Sequence, residues 1–197
     1  MRHFSCRSFA AALALCTTFV LQAVAAPATC SSGIPNNTGT SEWTPTSDFT
    51  ISGDGTVTHL KTGLMWQRCQ EGTPDCTNYG GVKMTWAEAL NAAVAANNRK
   101  LAGYADWRLP NKKELESIID LCGVSYSTTN PVVFPYGKYF DDVWTSTTLA
   151  RDPTIAFSVN FGLGTTRIFN LKTAKLQVLL VRAGRTADSA DLLQPSN

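Results

Sequence analysis

The chain has 197 residues, with 17 Lys and Arg against 15 Asp and Glu and a formal net charge of +2. So even a balance, without a basic stripe or dense Lys/Arg run, leaves no electrostatic footprint for nucleic-acid binding. Nor does it support capture of an acidic polysaccharide by charge alone.

The N-terminus reads as a signal peptide over residues 1–25. Arg2, His3 and Arg7 precede an apolar run over 10–24, and Ala23-Val24-Ala25 supplies a small-x-small pattern with cleavage before Ala26. Leu15 precedes Cys16 where a lipobox needs a small residue, and no later run of about 18 apolar residues follows, so no membrane anchor is expected. About 172 residues remain, enough for one domain with a core, and losing Arg2 and Arg7 leaves 15 basic against 15 acidic residues.

Four cysteines remain after the signal: Cys30, Cys69, Cys76 and Cys122. An even count in an exported chain argues for two disulfides. Three pairings are open. Cys69 and Cys76 close the tight loop "CQEGTPDC", which favours local pairing and leaves Cys30 with Cys122. A zinc site needs grouped soft ligands, which a Cys-x6-Cys with two remote cysteines and the single mature histidine His59 does not resemble.

Residues 26–47, rich in Ser, Thr, Pro, Asn and Gly, read as an irregular arm. A domain then runs over 48–185. Asp54-Gly55 and Lys61-Thr62-Gly63 are turn signals, with hairpin strands over 56–59 and 64–68. Asp48, Thr50, Ser52 and Asp54 imitate the start of a calcium loop, but its twelfth position is His59, where an EF-hand needs a bidentate Glu.

"TWAEALNAAVAAN" opens with Thr85-x-x-Glu88, a capping box, and places Trp86, Ala89, Leu90 and Ala93 on one predicted buried stripe. A second helix starts in "ADWRLPNKKELESIID", with Asn111 as N-cap, Glu114 at the third helical position, and Leu115, Ile118, Ile119 and Cys122 as its core face. Residues 123–143 follow as a long loop rich in aromatics and prolines. Strands are predicted in "VWTSTTL", "IAFSVNFG", "TTRIFNL" and "KLQVLLVRAG", and residues 186–197 read as a flexible tail. The order of hairpin, two helices, loop and strand meander defines an α+β fold with the two helices packed on small antiparallel sheets.

Five phrases in order, "DGTVTHLKTGLMWQRC", "TWAEAL", "LAGYADWRLPNKKELESIID", "VWTST" and "LLVRAG", resemble the C-terminal domain of the Legionella collagen-like adhesin (Lcl), over about residues 30–185. The resemblance implies a disulfide-stapled, C-type-lectin-like topology and an adhesin-like role. "CSSGIP" and the position of Cys122 look like one branch of that family, which supports joining Cys30 to Cys122. The collagen-like repeats are absent, as are the Glu-Pro-Asn-like and Trp-Asn-Asp triplets of calcium-dependent lectins; Trp144-Thr145-Ser146 is the nearest approach. "RLPNKKELE" is similar to a motif of formylglycine-generating enzymes, but their late cysteine pair has no counterpart after Cys122.

Catalytic signals are weak. Nothing near His59 resembles a nucleophile elbow. Asp141 and Asp142 are adjacent on an extended segment and point to opposite faces, which suits acid/base work poorly; they are the only candidate metal ligands, and Ca2+ the only candidate ion. The aromatic loop is more suggestive, because aromatic rings and a few polar groups bind sugars. Tyr126, Asn130, Tyr136, Tyr139, Asp141, Asp142 and Asn160 are the candidate ligand-binding residues. The alternative is that the aromatics pin the loop to the core. Trp107 and Arg108 read as structural, with Arg108 paired to Asp106 or a loop carbonyl; a ligand-facing Arg108 is the alternative.

The sequence therefore describes an exported, non-catalytic binding module, periplasmic or at the cell surface, for a glycan or surface-protein ligand and without a cofactor. A structural or assembly subunit of a surface appendage or envelope complex is the alternative. A modifying or hydrolytic enzyme ranks last.

Overall fold

A computed structural model describes residues 44–73, 76, 81–120, 128–135 and 142–183. The fold is a mixed α+β arrangement of two antiparallel sheets and two helices. The first sheet is formed by β1 (Phe49–Ile51), β2 (Thr56–His59), β3 (Leu64–Gln67) and β7 (Val181–Ala183), in that order. Its first turn is set by Asp54, whose Oδ1 accepts from the Thr56 backbone N–H at 3.0 Å and from the Thr56 hydroxyl at 2.7 Å. The second sheet is a meander of β4 (Asp142–Leu149), β5 (Asp152–Asn160) and β6 (Thr165–Leu171).

The last predicted strand, 175–184, does not extend the meander. Only Val181–Ala183 is strand, and it pairs with β3 in the other sheet, Trp66 opposite Val181. The residues before it run between the two sheets as a spine. Leu176 bridges Met84, Gln177 bridges Val143, the Glu71 N–H donates to the Val178 carbonyl at 2.9 Å, and the Gln67 N–H donates to the Leu180 carbonyl at 3.0 Å. The apolar run "VLLV" is explained by this position. Leu179 and Val181 face one core with Phe49, Val57, Trp66, Leu115 and Phe134. Val178 and Leu180 face the other, with Trp107, Leu109, Trp144 and the alanines of the first helix. Extended backbone sends alternate side chains to opposite faces, so a segment buried on both sides must be continuously apolar. Arg182 ends the run buried, its guanidinium 3.7 Å from the Tyr104 ring and held by Asp106 at 2.6 and 3.1 Å.

Helix α1 (Trp86–Asn98) starts with the expected capping box, Thr85 accepting from the Glu88 N–H while Glu88 accepts from the Thr85 N–H. Its buried face is Ala89, Ala92, Ala93 and Ala96, so the stripe is rotated from the prediction and Leu90 is exposed. Small side chains let the helix lie close to Trp107 and Trp144, whose bulk already fills that core. Helix α2 (Lys112–Glu116) is shorter than predicted. Its backbone turns off at Ser117, whose hydroxyl donates to the Glu114 carbonyl at 2.6 Å and competes with helix continuation. Leu115 and Ile118 are fully buried and Ile119 partly, as the apolar spacing requires.

Candidate functional site

The predicted ligand loop is only partly in view. Tyr126, Tyr136, Tyr139 and Asp141 lie outside the described residues, as do Cys30 and Cys122. Asn130 is described, and its side chain is spent on the fold. Its Nδ2 donates to the Thr44 carbonyl at 3.1 Å and to the Thr46 hydroxyl at 3.0 Å, while its Oδ1 accepts from the N–H groups of Val132 and Val133. A buried carboxamide with both ends engaged has no capacity for a ligand, so Asn130 is a loop anchor rather than a binding residue. Arg68, which the sequence did not single out, anchors the same loop from β3, donating to the carbonyls of Val132 and Val133 at 2.7 and 2.9 Å.

Asp142 and Asn160 are brought together as direct register partners at the end of the meander. Asp142 Oδ1 lies 3.1 Å from Arg167 Nε, a charge contact without an aligned hydrogen bond. The Asn160 Oδ1 accepts from the Leu163 N–H at 2.9 Å and so closes the β5–β6 turn. Among the described residues no group of three or more His, Cys, Asp or Glu side chains forms a metal-holding cluster.

Trp107 is buried and clamped by Asn97, which accepts from its N–H at 2.6 Å and donates to its carbonyl at 2.9 Å. Arg108 does not pair with Asp106. Its two terminal nitrogens each donate to a Glu114 oxygen at 2.7 Å, and Asp106 belongs to Arg182. Glu114 also accepts from the Asn111 N–H, and Asn111 Oδ1 accepts from the Glu114 N–H, so the helix cap and the Arg108 pair share one carboxylate. The Arg108 backbone bridges Val181 in both directions at 2.9 Å, which ties this cluster to the spine.

A cleft of about 420 Å³ opens elsewhere, between the Asp54-Gly55 turn, the end of β3, the ring closed by the Cys69–Cys76 disulfide, and the C-terminal end of α1. Glu71, inside the disulfide ring, is its most constrained charged group. The Arg99 Nη2 donates to both Glu71 oxygens, at 2.8 and 3.1 Å, and the Gln67 Nε2 donates to one of them at 3.0 Å. Beneath the ring the buried Gln70 donates to Gln177 Oε1 at 2.6 Å. Two glycines make this packing possible. A Cβ at Gly72, φ +83°, would stand 2.5 Å from Val82 Cγ2, and one at Gly81, φ +51°, would stand 2.6 Å from Gln70 Oε1. Sequence reasoning treated "CQEGTPDC" only as a staple and missed Glu71 and Arg99. The available signal was an acid and a glycine held inside a short disulfide ring.

A broader, shallower groove of about 540 Å³ shares Glu71 and runs along α1 over Met84, Ala92 and Ala95. His59 is buried away from both clefts, stacked on Phe49 with ring centroids 4.6 Å apart and its Nδ1 3.0 Å from the Thr62 hydroxyl. Among the described residues, no helix is long and apolar enough to cross a membrane.

Fold and site together describe a disulfide-bearing α+β domain with a polar surface cleft. The model of the Lcl C-terminal domain matches residues 55–182, well over half of the chain, and the chain belongs to that family. Comparison with curated proteins gives no match.

Proposed function

We propose that this chain is a non-catalytic recognition module that works outside the cytoplasm and binds a glycan or a protein surface in an adhesin-like manner. The observation that carries this reading is the cleft beside the Cys69–Cys76 ring, walled by carboxamide, carboxylate and guanidinium groups held by one another. Its hydrogen-bonding groups sit on a disulfide ring and a helix end, a rigid frame of the kind that orients a ligand. Family membership supports the binding role, and the disulfide supports an oxidising location. The only mature histidine is engaged in the hairpin, apart from the cleft. The test is a glycan array run beside an array of extracellular-matrix proteins, with and without calcium. Saturable binding to one class is expected. Chemical turnover of an arrayed ligand would replace the recognition reading with an enzymatic one.

A second reading, an assembly subunit, is favoured by one observation. Among the described residues β6 is an edge strand, paired with β5 alone, and it exposes Phe169 (73 % accessible) and Leu171, with Leu163 exposed in the turn before it. Large exposed apolar side chains on an edge strand mark a protein contact. Analytical ultracentrifugation separates the two readings. An oligomer abolished by Phe169→Ser supports assembly, and a monomer at all concentrations supports the recognition module acting alone.

A further inference from the structure

His59 is buried without the partners its charged form needs. It is 3 % exposed at the end of β2, with its Nδ1 3.0 Å from the Thr62 hydroxyl. Its Nε2 is buried and has no hydrogen-bond partner. An imidazolium donates from both nitrogens, so proton uptake in place would bury a charged N–H with no acceptor, a costlier defect than a neutral orphan. One wall of this site is β1, whose Phe49 ring stacks on the imidazole with centroids 4.6 Å apart. β3 places Leu64 opposite His59. The charged groups that act on the ring are Asp48, just before β1, and Lys61, in the following turn, and these two pair with each other at 2.7 Å. Burial outweighs the pull of Asp48 and holds the imidazole below 6.5.

The wall that covers His59 is weakly held. β1 is three residues long, pairs with β2 alone among the described residues, and buries only Phe49. Lifting it away opens the imidazole to water, where the proton binds readily. The same segment anchors the loop over 128–135. Asn130 Nδ2 donates to the Thr44 carbonyl and the Thr46 hydroxyl, and the Phe134 ring meets Phe49 edge-on at 5.8 Å. Arg68 grips that loop separately from the end of β3, so the loop stays on the domain when the segment leaves. We propose that residues 44–51 form an acid-released latch, packed on β2 and Asn130 while His59 is neutral and lifted away when the imidazole takes up a proton. The proton comes from solvent and no covalent bond changes. A closed form that excludes the proton and an open form that binds it make the equilibrium pH-dependent. Opening of one edge element leaves the rest of the domain folded. The open form bares the Phe49 and Phe134 rings and frees the Asn130 donors, a surface presented in acid. This goes beyond the recognition reading and does not depend on it.

The test follows amide exchange by NMR in the full exported chain, stepped from about pH 7 to about pH 5.5 and corrected for the intrinsic rates. The Ser52 N–H, 2.9 Å from the Thr56 carbonyl, and the Leu60 N–H, 2.8 Å from the Asp48 carbonyl, report β1 on β2. The Val181 N–H, 2.9 Å from the Arg108 carbonyl, reports the spine. Ser52 and Leu60 should be at least about tenfold less protected than Val181 and insensitive to low denaturant, the mark of a local opening. Their protection should fall by up to about eightfold over this interval, the limit for one histidine that is neutral when closed and ordinary when open. His59→Phe keeps a ring against Phe49 and should remove that pH dependence. Three results each overturn the latch: protection of Ser52 and Leu60 equal to that of Val181 and denaturant-sensitive, no fall with pH in the parent, or a fall that persists in His59→Phe. If His59→Phe does not fold, the parent's profile decides. A fall that sets in near 6.5 belongs to the histidine, and one that sets in only below about pH 5 belongs to carboxylates and overturns the latch.

Discussion

Two titratable residues carry most of the local argument. The Glu114 carboxylate is raised by burial, but the Arg108 hydrogen bonds and the Asn111 N–H outweigh that and hold it below its ordinary value of 4.5. A depressed carboxylate contributes stability that is present above its unfolded pKa and lost as pH falls through the folded value. Arg108 is nearly half exposed, so solvent screens the pair, and Arg108→Ala should cost only about 0.5–1 kcal/mol. Glu114→Ala removes the pair and the cap bond together and should cost about 1–2 kcal/mol. Thermal melts at falling pH check the linkage. The gap between parent and Arg108→Ala should close below pH 4.5, where Glu114 takes up its proton; a constant gap would place the effect in packing. His59 behaves in the opposite chemical sense with the same slope. Burial lowers its pKa below 6.5, against the raising effect of Asp48 and with a smaller lowering by Lys61. The folded state thus binds a proton less readily than the unfolded chain, and stability is lost as pH falls below 6.5. His59→Phe keeps a ring against Phe49 and removes the titration. Its melting temperature should decline less than the parent's between roughly pH 7 and 5.

Among the elements, the loop leading to β4 shows how a plausible binding residue becomes a structural one. Asn130 supports four hydrogen bonds, with Thr44, Thr46, Val132 and Val133, and Arg68 donates to the carbonyls of Val132 and Val133. Asn130→Ala leaves buried backbone groups unpaired and should cost about 1–3 kcal/mol. Denaturant titration measures this, and ligand affinity per folded molecule should not change. An affinity loss with unchanged stability would return Asn130 to the site. The same distinction applies to the helices. α2 is five residues long and survives because its cap is tied to Arg108 and its Leu115 to the core, not through intrinsic propensity.

On the scale of the whole molecule, the spine over 176–183 couples the two sheets, and the disulfide ring hangs from it through the Glu71 N–H to Val178 contact. The Cys69–Cys76 bond closes a short loop, for which chain entropy sets an upper contribution of about 2–3 kcal/mol. Cys69→Ser with Cys76→Ser should lower stability by up to that amount, and it should weaken cleft binding by more than the stability change explains, because the Glu71 carboxylate then keeps Arg99 and Gln67 but loses the ring that fixes its backbone beyond the Val178 contact. Non-reducing peptide mapping checks the bond directly. A peptide joining Cys69 to Cys30 would overturn this connection.

What the sequence determined by itself was local. The Asp54-Gly55 turn, the Thr85 and Asn111 capping boxes and the Cys69–Cys76 ring depend on residues a few positions apart, and each was legible in composition and spacing. The α+β class followed from their order. Only the tertiary structure decided which strand "LQVLLVR" joins, which face of α1 is buried, and that Asp106 belongs to Arg182 while Arg108 belongs to Glu114. It also brought Arg99 to Glu71 across 28 positions and so made the cleft. Periodicity along one segment reports that a face is apolar, but not what lies opposite it. Partners distant in sequence are selected by competition among all the segments for the same two cores.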